Sequence, residues 1–426
     1  MRSLLGRFHR PNARSQSEQM FMLNNLGDGS TLSLDFTTGV LDPRLTFTRS
    51  TTGTYINSSG YVTSAAINAP RFDYDPTTQT PRGLLIEGAA TNLALRSNDL
   101  NTIPNDGTNW AANGYTRGDV STTLPDGTTG NACRISGTGS SSFRSAAITV
   151  LASTVYTFSF WARNNGGSQA RYRVWNVTAG SSIVDYTLSG SNYVSQIGGE
   201  NNTSTTWVRV SVPFTTPVGC TSIYVYPTSS DSGTVDVLYW GAQVESGSAA
   251  SSYIPTVTST GSRAADLCVM NDITSCNYST TNGSMYYEGR FSKINTASFP
   301  FRAGFTKETG DERCFGFLTN SGGSAVEAKG PSATPTASVG QTIAANTDYK
   351  IAWSLDASLS TGEVRKSSNG SVVSVSGATG LTATGTPTYF MFGQKGYNDY
   401  FPCGTIKAFK YWPTTLSDAQ LQGSTT

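Results

Sequence analysis

The sequence has little charge and a single histidine. Only 13% of its 426 residues are charged, and 29 Lys and Arg against 28 Asp and Glu give a formal net charge of +1. A neutral chain lacks the basic face with which nucleic-acid-binding proteins displace counterions, so we expect no nucleic-acid partner. The scarcity of Glu and Lys argues against a helical bundle. With His9 as the single histidine, histidine-based zinc sites and Ser-His-Asp triads are also disfavoured.

Long apolar runs and paired cysteines are missing as well. No window holds about 18 consecutive apolar residues, so we expect no membrane insertion, and the first residues lack the apolar stretch of about 7–15 residues found in signal peptides. The six cysteines contain no CxxC pair and are too sparse for a disulfide scaffold. We expect free thiols in β cores, although the spacing of Cys268 and Cys276 leaves a bond between those two open.

Alternation of apolar and polar residues runs through the whole chain. It is clear at Leu32–Phe36 and Tyr156–Phe160, and turn signals such as Asn282-Gly283 separate the runs. Helical signals are few; the capping-box pattern at Ser417–Gln420 predicts one turn that packs Leu416 and Leu421. Many short strands with such turns indicate an all-β fold of tandem antiparallel β-sandwiches behind a short N-terminal arm.

Composition and patterning divide the chain into four parts. Residues 1–27 form a basic arm and residues 28–92 a compact β segment. Residues 93–257 are predicted to form one β-sandwich. After a linker at Thr256–Gly261, residues 262–426 are predicted to form a second.

An ordered series of motifs in the second part resembles a module that is widespread in tailed-bacteriophage virion proteins. The series comprises Asp35-Phe36, Leu45–Ser50, Tyr61, Pro70–Pro76, Gly83–Glu87 and Ala90–Leu93. Similar proteins are tail fibres, tailspikes or minor structural proteins. The resemblance therefore implies a location on the tail or capsid exterior after assembly in the host cytoplasm. It also implies other phage tail or capsid proteins as partners, and a homotrimer.

The two predicted sandwiches also carry resemblances. Residues 93–257 are similar to jelly-roll carbohydrate-binding modules at Tyr156–Arg163, Trp207–Arg209 and Trp240–Glu245. Residues 262–426 resemble a concanavalin A-like, laminin-G-like lectin domain, chiefly in the closing strand Gly404–Pro413. These resemblances imply that the protein binds host-surface polysaccharide.

Sugar recognition places an aromatic ring against the apolar face of a pyranose, with polar neighbours for the hydroxyl groups. Trp110 lies between Asn109 and Asn113 in a polar loop, and is one candidate. A period of two puts Arg171, Arg173 and Trp175 on one strand face, which we expect to be exposed because two arginines are costly to bury. The candidate carbohydrate-binding residues of this region are Trp110, Arg173 and Trp175. A surface aromatic that covers a strand or makes a subunit contact is the alternative.

The last predicted domain offers a second candidate site in the polar, aromatic loop Lys395–Tyr400. Loops carry function more often than the strands they join, so Tyr397, Asp399 and Tyr400 are predicted glycan contacts. An ordinary hairpin loop or a trimer contact is the alternative. Four other tryptophans lie in strongly patterned strands and are predicted to be core residues: Trp161, Trp207, Trp240 and Trp353.

The N-terminal arm combines basic and apolar residues. Arg7, Arg10 and Arg14 precede Met20 and Phe21. On a chain with a neutral body, this combination favours docking onto an acidic virion protein over contact with DNA. We therefore predict these five residues to serve virion attachment.

Motifs for catalysis and metal binding are lacking. No D-x-D-x-D-G pattern is present for calcium, and the E-x-D-x-x-E strand motif of glucanases with the concanavalin-like fold is absent. The acidic residues of the last part are scattered over turns and strand edges: Glu288, Asp311, Glu312, Glu327, Asp356 and Glu363. We therefore expect no metal, no cofactor and no enzymatic activity.

The function predicted from the sequence is that of a receptor-binding adhesin on a phage tail fibre. Two alternatives stay open. One is a capsid decoration or vertex protein whose sandwiches mainly contact neighbouring subunits. The other is a tailspike that degrades polysaccharide, which would need two carboxylates about 5–9 Å apart across a glycosidic bond.

Overall fold

The protein is all-β, as predicted, in a computed structural model. The structure describes residues 28–100, 109–139, 141–189, 206–230, 233–292, 301–306, 313–320, 323–328, 346–356, 363–369, 371–376, 386–392 and 404–426. The predicted N-terminal arm, with Arg7, Arg10, Arg14, Met20 and Phe21, lies outside these residues. So does the predicted loop site of Tyr397, Asp399 and Tyr400.

Thirty strands and one α-helix are assigned within the described residues. The first fifteen strands are β1 (Leu32–Asp35), β2 (Thr46–Thr48), β3 (Gly53–Ile56), β4 (Val62–Ala65), β5 (Phe72–Tyr74), β6 (Pro81–Ile86), β7 (Ala90–Asn92), β8 (Trp110–Asn113), β9 (Thr116–Thr123), β10 (Thr129–Thr138), β11 (Ser141–Ser145), β12 (Ile148–Thr149), β13 (Val155–Asn164), β14 (Gln169–Asn176) and β15 (Ser181–Ser189). The others are β16 (Val208–Thr215), β17 (Ser222–Tyr226), β18 (Thr228–Ser230), β19 (Thr234–Ser246), β20 (Gly261–Arg263), β21 (Leu267–Met270), β22 (Asn282–Phe291), β23 (Phe301–Thr306), β24 (Arg313–Asn320), β25 (Gly323–Ala328), β26 (Thr347–Asp356), β27 (Glu363–Ser368), β28 (Ser371–Ser376), β29 (Tyr389–Phe392) and β30 (Gly404–Trp412). The helix is α1 (Asp418–Thr425), and a short 3-10 helix spans Thr274–Cys276.

One sandwich is built from both ends of the described chain. Its first sheet has the order β28-β27-β26-β22-β30-β6-β5, with β1 also paired to β30, and its second has the order β2-β21-β29-β23-β24-β25. Apolar side chains from the two sheets meet between them; for example, the rings of Phe390 and Phe409 have centroids 4.8 Å apart. The predicted alternation at Leu32–Phe36 is confirmed, because Leu32, Leu34 and Phe36 point into this core.

The strand pairing differs from the division made on the sequence, which treats residues 28–92 and 262–426 as separate parts. In the structure their strands share both sheets. Leu34 lies opposite Phe409 in the pair β1–β30, and Phe47 lies opposite Cys268 in the pair β2–β21. The motif around Gly83 allows β6 to pair closely with β30. Gly83 has φ +90°, and a Cβ there would collide with the carbonyl oxygen of Ile406 on β30.

The second sandwich is the predicted jelly roll, and it is inserted into the first. A five-stranded sheet, β16-β13-β19-β10-β9, faces the sheets β12-β17-β14-β15 and β18-β11-β8 across an apolar core. The strands that lead into and out of the insertion pair with each other, since β7 pairs with β20 and Asn92 lies opposite Gly261. This short neck encloses the chain between Asn92 and Gly261, which forms the inserted sandwich.

The outer face of the five-stranded sheet is covered rather than exposed. Trp161, Trp240 and Tyr253 form a ring cluster with centroids 4.8–5.4 Å apart, and Val62, on the separate hairpin of β3 and β4, belongs to the same buried cluster. The core prediction is confirmed for Trp161, Trp240 and Trp353, whereas Trp207 is only half-buried. The jelly roll therefore uses one outer face to pack against its neighbour.

Two local predictions are confirmed. Ser417 and Gln420 form a reciprocal capping box at the start of α1, and Leu416 and Leu421 are buried beneath it. Four cysteines are buried free thiols, including Cys268 and Cys276: Cys133, Cys220, Cys268 and Cys276.

Candidate functional site

A network of buried charges joins the two sandwiches. The Arg71 guanidinium contacts both Glu87, with Nη1 2.7 Å from Oε2, and Asp266. Arg49 pairs with Asp266 at 3.2 Å and Arg263 with Glu87 at 3.3 Å. The three arginines are 0–2% exposed. We call these five residues the junction network.

The jelly roll closes this network from its own side. Ser252, in the loop that follows β19, donates from its backbone N to Glu87 Oε1 at 2.7 Å and from Oγ to Glu87 Oε2 at 2.6 Å. Burial alone would raise the pKa of Glu87, but Arg263, Arg71 and Ser252 outweigh it and lower that pKa to about 2. Glu87 is therefore a structural anion whose partners all lie within the protein.

The opposite side of the jelly roll carries a set of arginine and aromatic side chains. They stand on β11, β14, β15 and β17, whose inward residues, such as Val174 and Val225, are fully buried. We call this set the Arg–aromatic face. It consists of Arg144, Arg171, Arg173, Trp175, Asp185, Tyr224 and Tyr226.

Strand register brings the aromatic residues together. β14 pairs with β17 so that Arg173 lies opposite Tyr226 and Trp175 lies opposite Tyr224. The Arg173 guanidinium carbon is 5.7 Å from the Trp175 ring centroid and 5.9 Å from that of Tyr226. These distances fall within the range of cation–π attraction. Each of the three aromatic side chains is half-buried, so each leaves part of its ring accessible.

A second arginine, Arg144 on β11, stacks on Tyr224 of β17. β11 runs beside β17, where Val225 N donates to Ser145 Oγ at 3.1 Å, and the Arg144 guanidinium carbon lies 4.0 Å from the Tyr224 ring centroid. Burial raises the pKa of Tyr226, whereas the charges of Arg144 and Arg173 lower it, so both guanidinium groups act on that phenol. The result is an array of rings interleaved with hydrogen-bond donors, which suits a ligand with both apolar faces and oxygen atoms.

The sequence predicted part of this face. Arg173 and Trp175 are brought together as expected, on one side of β14 with Arg171. Tyr224 and Tyr226 were missed, although the alternation in Ser222–Tyr226 already places them on a common strand face. Which side of that strand turns outward depends on its pairing with β14, which no local signal specifies.

The prediction for Trp110 is wrong. Trp110 is 1% exposed, its Nε1 donates to the carbonyl oxygen of Leu95 at 2.9 Å, and its ring packs 5.5 Å from that of Phe143. Its polar neighbours suggested a loop, but the residue begins β8 and points into the jelly-roll core. It cannot contact a sugar without unfolding that part of the sandwich.

Two acidic residues of the first sandwich lie opposite each other on paired strands, which the sequence analysis did not predict. Asp356 lies opposite Glu363 at the end of the pair β26–β27. Separately, Glu288 and Asp348 line a groove of 360 Å³ beside α1. Hydrogen bonding to Arg290, with the charges of Lys407 and Arg290, outweighs burial and lowers the pKa of Asp348. A general acid for glycoside cleavage needs a raised pKa, so Asp348 is unsuited to that role.

The described part of the chain holds neither a metal-binding cluster nor a helix that could span a membrane. No group of three or more His, Cys, Asp or Glu side chains is placed to hold a metal ion there. Among the same residues, no helix has the length and apolar character needed to cross a membrane.

Comparison with known proteins gives one family match. Residues 97–233 match the model of a carbohydrate-binding domain family, and this segment contains all four strands of the Arg–aromatic face. It covers roughly a third of the chain. No curated protein matches the sequence.

Similar solved structures are distant. A carbohydrate-binding module of the Ruminococcus gnavus IT-sialidase, bound to α2,3-sialyllactose, is 13% identical, covers 34% of this chain and 83% of its own, and has a TM-score of 0.29. Domain 4 of an extracellular arabinanase from Geobacillus stearothermophilus, in complex with arabinotriose, is 15% identical, covers 38% and 73%, and has a TM-score of 0.30. Leech intramolecular trans-sialidase is 17% identical, covers 37% and 25%, and has a TM-score of 0.29. Scores of this size carry no argument about function. The family match therefore stands alone: the jelly-roll segment, residues 97–233, is similar to a carbohydrate-binding domain.

Proposed function

We propose that this protein is a phage virion adhesin that binds host-surface glycan through the Arg–aromatic face of its jelly roll. The observation that carries the proposal is the coincidence of two features on the same strands. The segment that matches a carbohydrate-binding domain family contains β11, β14, β15 and β17, and their outward side chains are aromatic rings interleaved with arginine.

The geometry supports a binding role for three reasons. Trp175 and Tyr224 are adjacent across two paired strands, so their rings can serve neighbouring parts of one sugar. Arg173 and Arg144 supply donors beside those rings. The other outer face of the jelly roll is buried, since its Trp161, Trp240 and Tyr253 pack in one cluster with Val62.

The test is a comparison of glycan binding by the full chain and two aromatic variants. Trp175→Ala is expected to weaken binding about 10- to 100-fold, because it removes most of an aromatic contact surface. Tyr61→Ala is the matched control, since Tyr61 is 38% exposed and lies in the hairpin of β3 and β4, beside Gly127 in the turn between β9 and β10. Binding is first detected on a glycan array and then measured by titration calorimetry. Absence of any glycan binding, or equal binding by wild type and Trp175→Ala, would falsify the proposal.

The virion part of the proposal rests on the motif resemblance in residues 28–93 and has its own test. Antibody labelling of intact phage particles is expected to place the protein on the tail, and light scattering after gel filtration is expected to give a trimer. Stoichiometric labelling of the capsid without glycan binding would instead support a decoration or vertex protein.

We also propose that the protein binds polysaccharide without cleaving it. The position of Asp356 opposite Glu363 is the one observation that favours a depolymerase. Incubation of the protein with host polysaccharide is expected to release no reducing ends. Release that disappears in Glu363→Gln, but not in Glu288→Gln, would identify an enzyme and overturn this part of the proposal.

A further inference from the structure

The charge on the Arg–aromatic face is one-sided. The sequences of β11, β14, β15 and β17 contain three arginines and one aspartate, with no lysine and no glutamate. In a chain whose net charge is +1, this local excess is a property of the face rather than of the whole protein. An excess of positive charge on this face favours an anionic ligand.

Arg171 and Arg173 share the single carboxylate. Arg171 Nη2 lies 2.7 Å from Asp185 Oδ2, and Arg173 Nη2 lies 2.9 Å from the same oxygen. The Arg173 Nε is buried without a hydrogen-bond partner. One carboxylate can neutralise only one of these two guanidinium groups, so the pair retains a positive charge.

Arg144 adds a second unneutralised charge. Its guanidinium donates from Nη1 to the carbonyl oxygen of Ser145 at 3.0 Å and stacks on Tyr224. It forms no ion pair with any carboxylate in the described ranges. Stacking holds the planar group in one orientation, with its remaining N–H donors available at the edge of the ring. A guanidinium fixed in this way is suited to bidentate recognition of an anion.

We infer that the glycan bound by this face is acidic, with a carboxylate or sulfate group placed between Arg144 and Arg173 while its rings contact Trp175 and Tyr226. This inference rests on the proposed glycan-binding function and adds the class of sugar. A neutral glycan would use the aromatic rings but would leave two guanidinium charges uncompensated in a half-buried site. An anionic group compensates them and gains charge-assisted hydrogen bonds.

The experiment compares glycans that differ only in charge. Oligogalacturonate is paired with its methyl ester, and sulfated dextran oligosaccharide with plain dextran oligosaccharide, so that carboxylate and sulfate are tested separately. Titration calorimetry on the full chain is expected to show roughly tenfold or tighter binding of at least one acidic member over its neutral partner. The preference is expected to shrink as NaCl is raised from about 50 to about 300 mM.

A matched pair of variants localises the effect. Arg144→Gln is expected to bring the ratio of acidic to neutral affinity from roughly tenfold down toward one, because it removes the charged donor that an anionic group uses most strongly. Arg134→Gln is the control, because Arg134 stands on the five-stranded sheet and pairs with Asp236, and it removes the same formal charge. Equal losses in both variants would attribute the preference to net charge and overturn the inference.

The two proposals fail in different ways. If acidic and neutral partners bind equally and Trp175→Ala weakens both, the inference of an acidic ligand is wrong and glycan binding stands. If no glycan of either kind binds on the array or in solution, the proposed function itself fails, and the inference fails with it.

Discussion

The molecule contains two arginine clusters with opposite surroundings. In the junction network, Arg49, Arg71 and Arg263 are 0–2% exposed and are held by Glu87 and Asp266. On the Arg–aromatic face, the side chains of Arg171 and Arg173 are 18% and 21% exposed and share Asp185. Both clusters have three arginines, but they differ in how many carboxylates accompany them and in how much water reaches them.

The difference in burial and in the number of carboxylates suits the junction network to a structural role and the Arg–aromatic face to ligand contact. A buried charge must be paired and hydrogen-bonded, because its desolvation costs several kcal/mol. The junction satisfies this requirement internally and also accepts donors from Ser252 of the jelly roll, so it fixes the two sandwiches to each other. On the half-buried face the requirement is weaker, and stacking on aromatic rings can take the place of a carboxylate partner. The guanidinium donors that remain can serve a ligand.

Removal of a junction arginine should have the largest effect on stability. Arg71→Met leaves Glu87 and Asp266 buried without their shared partner, and we expect the free energy of unfolding to fall by about 3–5 kcal/mol. Urea denaturation followed by tryptophan fluorescence measures the change, and calorimetry would report any separation of the two sandwiches into distinct transitions. A loss below about 1 kcal/mol would show that the junction charges are dispensable.

Acid should weaken the junction through Glu87. Its pKa in the folded protein is about 2, below its ordinary value of 4.5, so folding favours the ionised form. The resulting stabilisation, roughly 3 kcal/mol, is present above about pH 4.5 and is lost as the pH falls toward 2. We expect the difference in stability between wild type and Glu87→Gln to be largest near pH 7 and to narrow progressively below pH 4.5. A difference that stays constant between pH 7 and pH 3 would contradict this account.

Asp73, at the margin of the junction, should behave in the opposite sense. Burial outweighs its hydrogen bond from Ile56 N and raises its pKa to about 6. Folding therefore favours its protonated form, and the stability gained below about pH 4 is lost as the pH rises through 6. Asp73→Asn, which keeps an acceptor for Ile56 N, is expected to raise stability by about 1–2 kcal/mol near pH 8 and to have little effect near pH 4. Thermal unfolding at both pH values checks the sign; a variant that is less stable at pH 8 would refute it.

The smallest effect on stability is expected on the Arg–aromatic face. Arg144→Gln removes one stacked, partly exposed side chain and leaves no buried carboxylate unpaired, so the free energy of unfolding should stay within about 0.5 kcal/mol of wild type. The same urea titration that is used for Arg71→Met measures it. A loss as large as that of Arg71→Met would mean that Arg144 is a structural residue and would remove the contrast between the two clusters.

Local patterns in the sequence predicted much of the fold and the grouping of Arg173 with Trp175. Alternation identified the strands that carry Leu32–Phe36 and Tyr156–Phe160, and it placed Arg173 beside Trp175 on one face. The prediction for Trp110, made from its polar neighbours, was wrong because those neighbours say nothing about the core that receives the side chain. Tyr224 and Tyr226 were missed because their outward orientation depends on pairing with a strand about fifty residues earlier.

The motifs that resemble phage virion proteins turn out to supply part of the junction network. Arg49, Arg71 and Glu87 all lie in those motifs, and Arg71 and Glu87 are 16 positions apart in the chain. Their other partners are distant: Asp266 is 195 positions from Arg71, and Ser252 is 165 positions from Glu87. The motifs could be identified from the sequence, but their contribution to the junction network could not be predicted, because it depends on these distant partners.

The sequence by itself determined the all-β class and the order of polar and apolar residues along each strand, because these depend on neighbours in the chain. Only the tertiary structure decided that residues 28–92 complete the C-terminal sandwich and that one outer face of the jelly roll is covered at the junction. It also decided that Arg144, Trp175 and Tyr224 meet on the other face. These outcomes depend on which strands pair and which sheet faces stack, and such contacts join residues far apart in sequence through backbone hydrogen bonds that any residue can make.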